Sequence, residues 1–139
     1  MNSTIEQVMT TDVVSCSKTA TVAEAARLMR DRNIGDVLVT DNGGKLAGIV
    51  TDRDMVVRCL ADGADPNVTI GEVCTTDLRT LTRDASIDEA VRMMSEQSMR
   101  RVPVVDKGKP VGIVSLGDLA IERDPHSALG EISAAAPTH

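Results

Sequence analysis

Gly48-Ile49-Val50-Thr51-Asp52-Arg53-Asp54 recurs as Gly112-Ile113-Val114-Ser115-Leu116-Gly117-Asp118. Each copy runs from an apolar strand end into a hydroxyl residue, with a carboxylate three positions later. The comparison extends backwards through the chain. Val8-Met9-Thr10-Thr11-Asp12 returns as Val73-Cys74-Thr75-Thr76-Asp77, and Ala20-Thr21-Val22-Ala23-Glu24-Ala25 as Ala85-Ser86-Ile87-Asp88-Glu89-Ala90. Val37-Leu38-Val39-Thr40-Asp41 returns as Val102-Pro103-Val104-Val105-Asp106. The order and spacing are kept apart from one residue lost in the Gly43-Gly44 turn, which identifies a tandem duplication.

Local signals then divide each copy into the same elements. Thr4-x-x-Gln7, Thr21-x-x-Glu24, Thr69-x-x-Glu72 and Ser86-x-x-Glu89 have the spacing of capping boxes that open helices. Behind two of them, Val22, Ala25, Ala26 and Met29, and Ile87, Ala90, Val91 and Met94, form apolar stripes at helical spacing. Val13-Val14 and Leu81 read as short strands. Val37 to Val39 with Leu46 to Val50, and Val102 to Val105 with Val111 to Val114, read as hairpins around Asp41-Asn42-Gly43-Gly44 and Asp106-Lys107-Gly108-Lys109. Thr51 opens a helix expected to run to about Ala61, with Gly63 as its stop. The expected domains are repeat 1 over 5–63, a linker over 64–68, repeat 2 over 69–123, and a flexible tail over 124–139.

Each repeat therefore reads β-α-β-β-α. A three-stranded sheet with two helices on one face leaves its other face bare, and two such repeats can bury those faces on each other. The expected class is α+β, with two repeats packed through their sheets in pseudo-two-fold symmetry.

Composition narrows the function. The 139 residues carry a net charge of −6 and contain no Phe, Trp or Tyr. An acidic chain lacks the basic surface that displaces counterions, and without aromatics it has no base-stacking platform, so a nucleic-acid partner is not expected. No stretch approaches the ~20 apolar residues of a membrane span, and no signal peptide is evident, which gives a cytoplasmic expectation. Cys16, Cys59 and Cys74 are odd in number and form no C-x-x-C pair; they read as reduced thiols filling the core. Both histidines, His126 and His139, lie in the tail, so no internal imidazole is available as a general base or metal ligand. No catalytic residue and no metal site are expected.

The chemistry that remains is at the repeated turn. Thr51 and Asp54, like Ser115 and Asp118, sit where a helix begins and unpaired backbone N–H groups favour anions. The carboxylate there can accept ribose hydroxyls, and the hydroxyl can donate to a ribose or phosphate oxygen. A helix that is merely capped has the same pattern, so both readings stand.

The duplicated β-α-β-β-α unit, with GIVTDRD and GIVSLGD closing each copy and RRVPVVD before the second, resembles a tandem pair of CBS (cystathionine-β-synthase) domains, often called a Bateman module. The resemblance covers about residues 5 to 123. It implies clefts between repeats that bind adenosyl ligands such as AMP, ADP, ATP or S-adenosylmethionine, further pairing into disc-like homodimers, and no required cofactor. It places the ribose on Asp54 and Asp118. It places the base along Asp12-Val13-Val14 with Ile34-Gly35-Asp36, and along Asp77-Leu78-Arg79 with Met99-Arg100-Arg101 and Pro103, while Val37 and Val102 read as core. Arg53, Arg100 and Arg101 are the guanidinium groups available to phosphate. The two copies depart from each other. Leu38 replaces the proline that Pro103 supplies, Asp36 places a carboxylate near the expected phosphate, and Leu116-Gly117 replaces Asp52-Arg53. The sites are therefore expected to be unequal, the first suiting a ligand with less negative charge. Two functions follow: a regulatory module whose ligand alters association with an unidentified protein effector, or a ligand-free dimeric scaffold in which the capped helices are only structural.

Overall fold

The computed structural model describes residues 4–97 and 99–123; the expected tail lies outside them. In chain order the elements are α1 (Ile5–Val8), β1 (Ser15–Ser17), α2 (Val22–Arg32), β2 (Asp36–Thr40), β3 (Leu46–Thr51), α3 (Asp52–Met55) running into a π-helical turn (Val56–Leu60), α4 (Ile70–Val73), α5 (Ile87–Gln97), β4 (Arg101–Asp106), β5 (Lys109–Ser115) and α6 (Leu116–Arg123). The class is α+β, as expected.

The chain forms two compact units whose membership cuts across the sequence repeats: one is Val14–Leu78, and the other joins the opening residues through Val13 to the chain from Arg79 onward. Each unit has its own core. In Val14–Leu78, β2 and β3 contribute Val37, Val39 and Val50, which meet Val22, Ala25 and Met29 of α2, Met55, Cys59, and Ile70 and Val73 of α4. In the other unit, Val102, Val104 and Val114 meet Ile87, Ala90 and Met94 of α5, Leu119 of α6, Leu81 and Ile5 of α1.

The opening helix of each repeat is thus part of the other repeat's core, and the same bonds hold both. Ile5 and Glu6 donate their amides to the Ala85 and Arg83 carbonyls at 2.8 and 3.1 Å; Ile70 and Gly71 donate theirs to Ala20 and Lys18 at 2.7 and 2.9 Å. These contacts satisfy amides that a helix start leaves unpaired. One of these helix starts departs from expectation. Thr69 makes no side-chain cap, and the Glu72 amide goes to the Thr69 carbonyl instead. By contrast, Thr21 and Glu24 form the full reciprocal box, Ser86 accepts the Glu89 amide, and Gln7 reaches back to the Thr4 amide.

The helix ends follow the same local logic. Asn33 closes α2 in the left-handed conformation at φ 57, a role its short polar side chain tolerates.

The two hairpins match residue for residue. β2 pairs with β3 as Asp36↔Thr51, Val37↔Val50, Leu38↔Ile49 and Val39↔Gly48 before the register shifts. β4 pairs with β5 as Arg101↔Ser115, Val102↔Val114, Pro103↔Ile113 and Val104↔Gly112 before an equivalent shift. Lys107 and Gly108 both have positive φ, which closes the second hairpin with the twist that two-residue turns favour. The glycines Gly48 and Gly112 admit close neighbours. A Cβ at Gly48 would lie 2.7 Å from the Thr75 carbonyl oxygen and 2.8 Å from the Cys74 sulfur, and one at Gly112 would lie 2.6 Å from the Met9 sulfur.

Three expected elements are corrected. Val13-Val14 is not a strand: the Val13 amide turns back to the Thr11 carbonyl at 2.9 Å, and pairing with β2 is regular only over Ser15–Ser17. Leu81 forms a single parallel bridge to Val104. Pairing stops there because Thr82 begins a turn, its hydroxyl on Asp84 at 2.6 Å and its carbonyl accepting the Ala85 amide. The helix after Thr51 is not α-helical throughout. From Val56 it widens, with the Ala61 amide on the Val56 carbonyl at 2.8 Å and the Ala64 amide on Cys59 at 2.9 Å. Cys59 is then buried while Val56, Val57 and Leu60 face solvent, and Gly63 follows at φ 71.

Candidate functional site

The repeated turn is built the same way in both units. At the end of β3, the Thr51 hydroxyl accepts the Asp54 amide at 3.0 Å and the Asp54 carboxylate accepts the Thr51 amide at 3.0 Å. At the end of β5, Ser115 and Asp118 make the same reciprocal pair at 3.1 and 2.9 Å. The next residue ties each turn to the strand before it, Asp52 donating to the Gly35 carbonyl at 3.0 Å and Leu116 to Arg100 at 2.8 Å. All four hydroxyl and acid residues are half-buried. One oxygen of each carboxylate is therefore engaged in capping, and a carboxylate has acceptor sites beyond that one bond.

The surroundings of the two acids differ. The second Asp54 oxygen lies 3.9 Å from the Arg58 Nε, and Arg58 also donates to the Val73 and Cys74 carbonyls at 3.3 and 3.4 Å. The residue matching Arg58 in the second copy is Glu122. Sequence reading passed over Arg58, although its spacing four residues after an acid on a helix is a recognisable pairing signal. Across the strands, Asp36 stands beside Thr51 and Arg101 beside Ser115, and directly paired residues put their side chains on the same sheet face.

The other expected site residues divide between the units. With Thr51 and Asp54, the unit Val14–Leu78 holds Val14, Ile34, Gly35, Asp36, Arg53, Asp77 and Leu78. Val14 gives its carbonyl to the Leu38 amide at 3.0 Å, and Val14 and Ile34 are half-buried against the core. Arg53 and Asp77 are exposed. Asp12, Val13, Arg79, Met99, Arg100, Arg101 and Pro103 belong to the unit of Ser115 and Asp118. Met99 packs on that core, Pro103 is buried, and Asp12, Arg79, Arg100 and Arg101 are exposed. Val37 and Val102 are fully buried core, as expected. A depression of about 160 Å³ is lined by Arg79, Glu89, Arg92, Met93, Glu96 and Gln97, none of them a residue of either turn.

Burial disfavours the thiolate form at two of the cysteines. Burial, and then the neighbouring Cys74 and Glu24, push the Cys16 thiol above its ordinary value, and burial does the same to Cys74. Only the thiolate attacks.

The family model described as "CBS domain" matches twice, over residues 5–60 and 70–123. The chain belongs to the CBS-domain family. It is 38% identical over 128 residues to the CBS domain-containing protein YhcV of Bacillus subtilis, covering 92% of this chain and 91% of that protein. A crystal structure of hypoxic response protein I with two coordinated zinc ions is 36% identical, with a TM-score of 0.79 over 86% of this chain and 98% of that one. The CBS domain pair of protein MJ0100, crystallised with 5′-methylthioadenosine and S-adenosyl-L-methionine, is 26% identical, with a TM-score of 0.79 over 91% of this chain and 100% of that one. Among the described residues of this CBS pair, no group of three or more His, Cys, Asp or Glu is placed to hold a metal. No helix among them is long and apolar enough to cross a membrane.

Proposed function

We propose that this CBS pair is a non-catalytic cytoplasmic regulator that binds an adenosyl ligand, among AMP, ADP, ATP and S-adenosylmethionine, and signals through a protein partner. The ribose is taken by Asp54 in one unit and Asp118 in the other, with Thr51 and Ser115 beside them. The observation that carries this reading is the duplicated turn: hydroxyl, acid, cross-strand partner and returning amide recur with matched bonds in both units. The adenosyl ligands crystallised with the MJ0100 pair support it. A ligand acts by population shift, favouring whichever arrangement completes its contacts.

The rival is a ligand-free dimeric scaffold. One observation favours it: the acids already serve as caps, while Val56, Val57 and Leu60 present an exposed apolar patch, Leu60 at 65%, of the kind that marks association surfaces. Homodimerisation is compatible with both readings.

The deciding experiment is the ultraviolet spectrum of freshly purified protein, followed by mass spectrometry of its acid extract. With no Trp or Tyr the chain is nearly transparent near 280 nm, so a co-purifying adenine appears alone, as a band near 260 nm. A band identified as one of these ligands supports the sensor. A flat spectrum, followed by no heat of binding on titration with AMP, ATP and S-adenosylmethionine, refutes the sensor in favour of the scaffold.

A further inference from the structure

Resting on that reading, we infer that Arg58 is a positioning residue that couples the Asp54 carboxylate to the end of α4. A nucleoside taken by Asp54 then tightens the seat of the second repeat's opening segment on the sheet of the first. Every residue in this coupling lies within the unit Val14–Leu78.

The contacts start at the capped turn. Asp54 spends Oδ2 on the Thr51 amide at 3.0 Å, and its Oδ1 lies 3.9 Å from the Arg58 Nε. That separation is beyond hydrogen-bond range, so the guanidinium orients the oxygen by charge. The other end of the guanidinium is anchored. Its Nη1 donates to the Val73 and Cys74 carbonyls at 3.3 and 3.4 Å. These belong to the last residue of α4 and its cap, where a helix leaves carbonyls unpaired. Thr75 follows, and it exchanges two backbone bonds with Ile49 at 2.9 and 3.0 Å. Ile49 stands on β3 two residues before Thr51. Asp54, Arg58, the 73–75 segment and the end of β3 therefore form a closed loop of contacts. Burial raises the Cys74 thiol most, and the charges of Asp54 and Arg58 act on it with opposite sign, which places the thiol beside both.

A planar guanidinium with its fork of donors can serve a carboxylate and two carbonyls together, which an ammonium does less well. The second copy lacks the device: Glu122 matches Arg58 in sequence, and the π-helical turn that carries Arg58 has no counterpart in α6. Widened turns of this kind recur at functional positions in helices. The coupling is reciprocal, so a seated 73–75 segment raises the affinity of the Asp54 site as much as a ligand there steadies the segment.

The test uses the full chain carrying Asp118→Ala, which leaves Thr51/Asp54 as the adenosyl turn. Amide hydrogen exchange over residues 73–78 is read with and without saturating AMP or 5′-methylthioadenosine, beside calorimetry with the same two ligands. Ligand is expected to slow exchange of the Cys74 and Thr75 amides by about fivefold or more. Adding Arg58→Met is expected to cut that slowing below about twofold and to weaken binding by about fivefold. Arg58→Lys, which keeps the charge without the fork, is expected to shift both in the same direction by less, and circular dichroism checks that each variant is folded. An arginine that only stabilised the fold would raise the exchange of the free protein and leave the ligand-induced slowing intact. Slowing that is absent with Arg58 present, or equal with and without it, would overturn the coupling. So would an Asp118→Ala protein that binds neither ligand while the wild type binds one. A wild type that binds neither would instead overturn the sensor reading, and the coupling with it.

Discussion

Replacing Gly48 by alanine tests the packing that joins the opening segment of the second repeat to the sheet of the first. The new Cβ would lie 2.7 Å from the Thr75 carbonyl oxygen and 2.8 Å from the Cys74 sulfur. Neither neighbour retreats easily. Residue 75 is pinned by two backbone bonds to Ile49, at 3.0 and 2.9 Å, and Cys74 is buried in the core. Overpacking of this kind costs about 1–3 kcal/mol. Exchanging glycine for alanine in a strand returns roughly 0.5–1 kcal/mol of backbone entropy. The net expectation is a loss of about 1–2 kcal/mol, or roughly 4–8 °C in melting temperature for a chain of this size. The assay is thermal unfolding followed by far-ultraviolet circular dichroism, because the chain has no aromatic fluorophore. Gly43→Ala is the control, its nearest neighbour being the Asp41 carboxylate at 3.5 Å, and it is expected to melt with the wild type. Gly112→Ala should fall between them, since its closest neighbour is the flexible end of Met9. A Gly48→Ala protein as stable as the Gly43→Ala control would refute the close approach.

Ile5→Ala and Ile70→Ala each remove a fully buried side chain from one core, and each is expected to cost about 2–5 kcal/mol by urea unfolding; a loss under 1 kcal/mol for Ile5 would contradict its place in the second core. Asp118→Ala removes the acceptor of the Ser115 amide and should cost about 1 kcal/mol as a lost cap, with adenosyl binding at that turn abolished in calorimetry; retained binding would dismiss Asp118 as the ribose ligand. Cys16 and Cys74 have thiols held above the ordinary 9.0 in the folded chain. Their stabilisation is complete below the unfolded-state value and is lost as pH rises from about 9 through the folded value, because the unfolded thiols ionise first. Urea midpoints measured from pH 8 to 10 should therefore fall less steeply in Cys16→Ala and Cys74→Ala than in the wild type, and parallel slopes would refute the shift.

The geometry of the two turns was legible because its signals are short-range. A hydroxyl, an acid three residues on and an apolar strand before them specify a capped turn wherever they occur, and both turns formed with the expected bonds. The hairpins were legible for the same reason. The Val13-Val14 strand was misread because apolar residues reveal burial and not pairing: Val13 is half-buried, but its amide is spent in a turn. The π-helical turn left no clear mark, since Val56, Val57 and Leu60 read equally well on an α-helix.

The sequence by itself determined the duplication, the α+β class, the capped turns and the residues that compose them. Only the tertiary structure decided which core each opening helix enters and which charge faces which hydroxyl. Ile5 docks against Ala85 and Arg83, and Ile70 against Ala20 and Lys18. The two copies are alike at these positions, so local chemistry does not distinguish this exchange from a helix folding back on its own repeat. That choice belongs to long-range packing. The opposition of Asp36 to Thr51 and of Arg101 to Ser115 likewise appears only in the folded hairpins, because an irregular step near each turn shifts the register of the pairs beyond it.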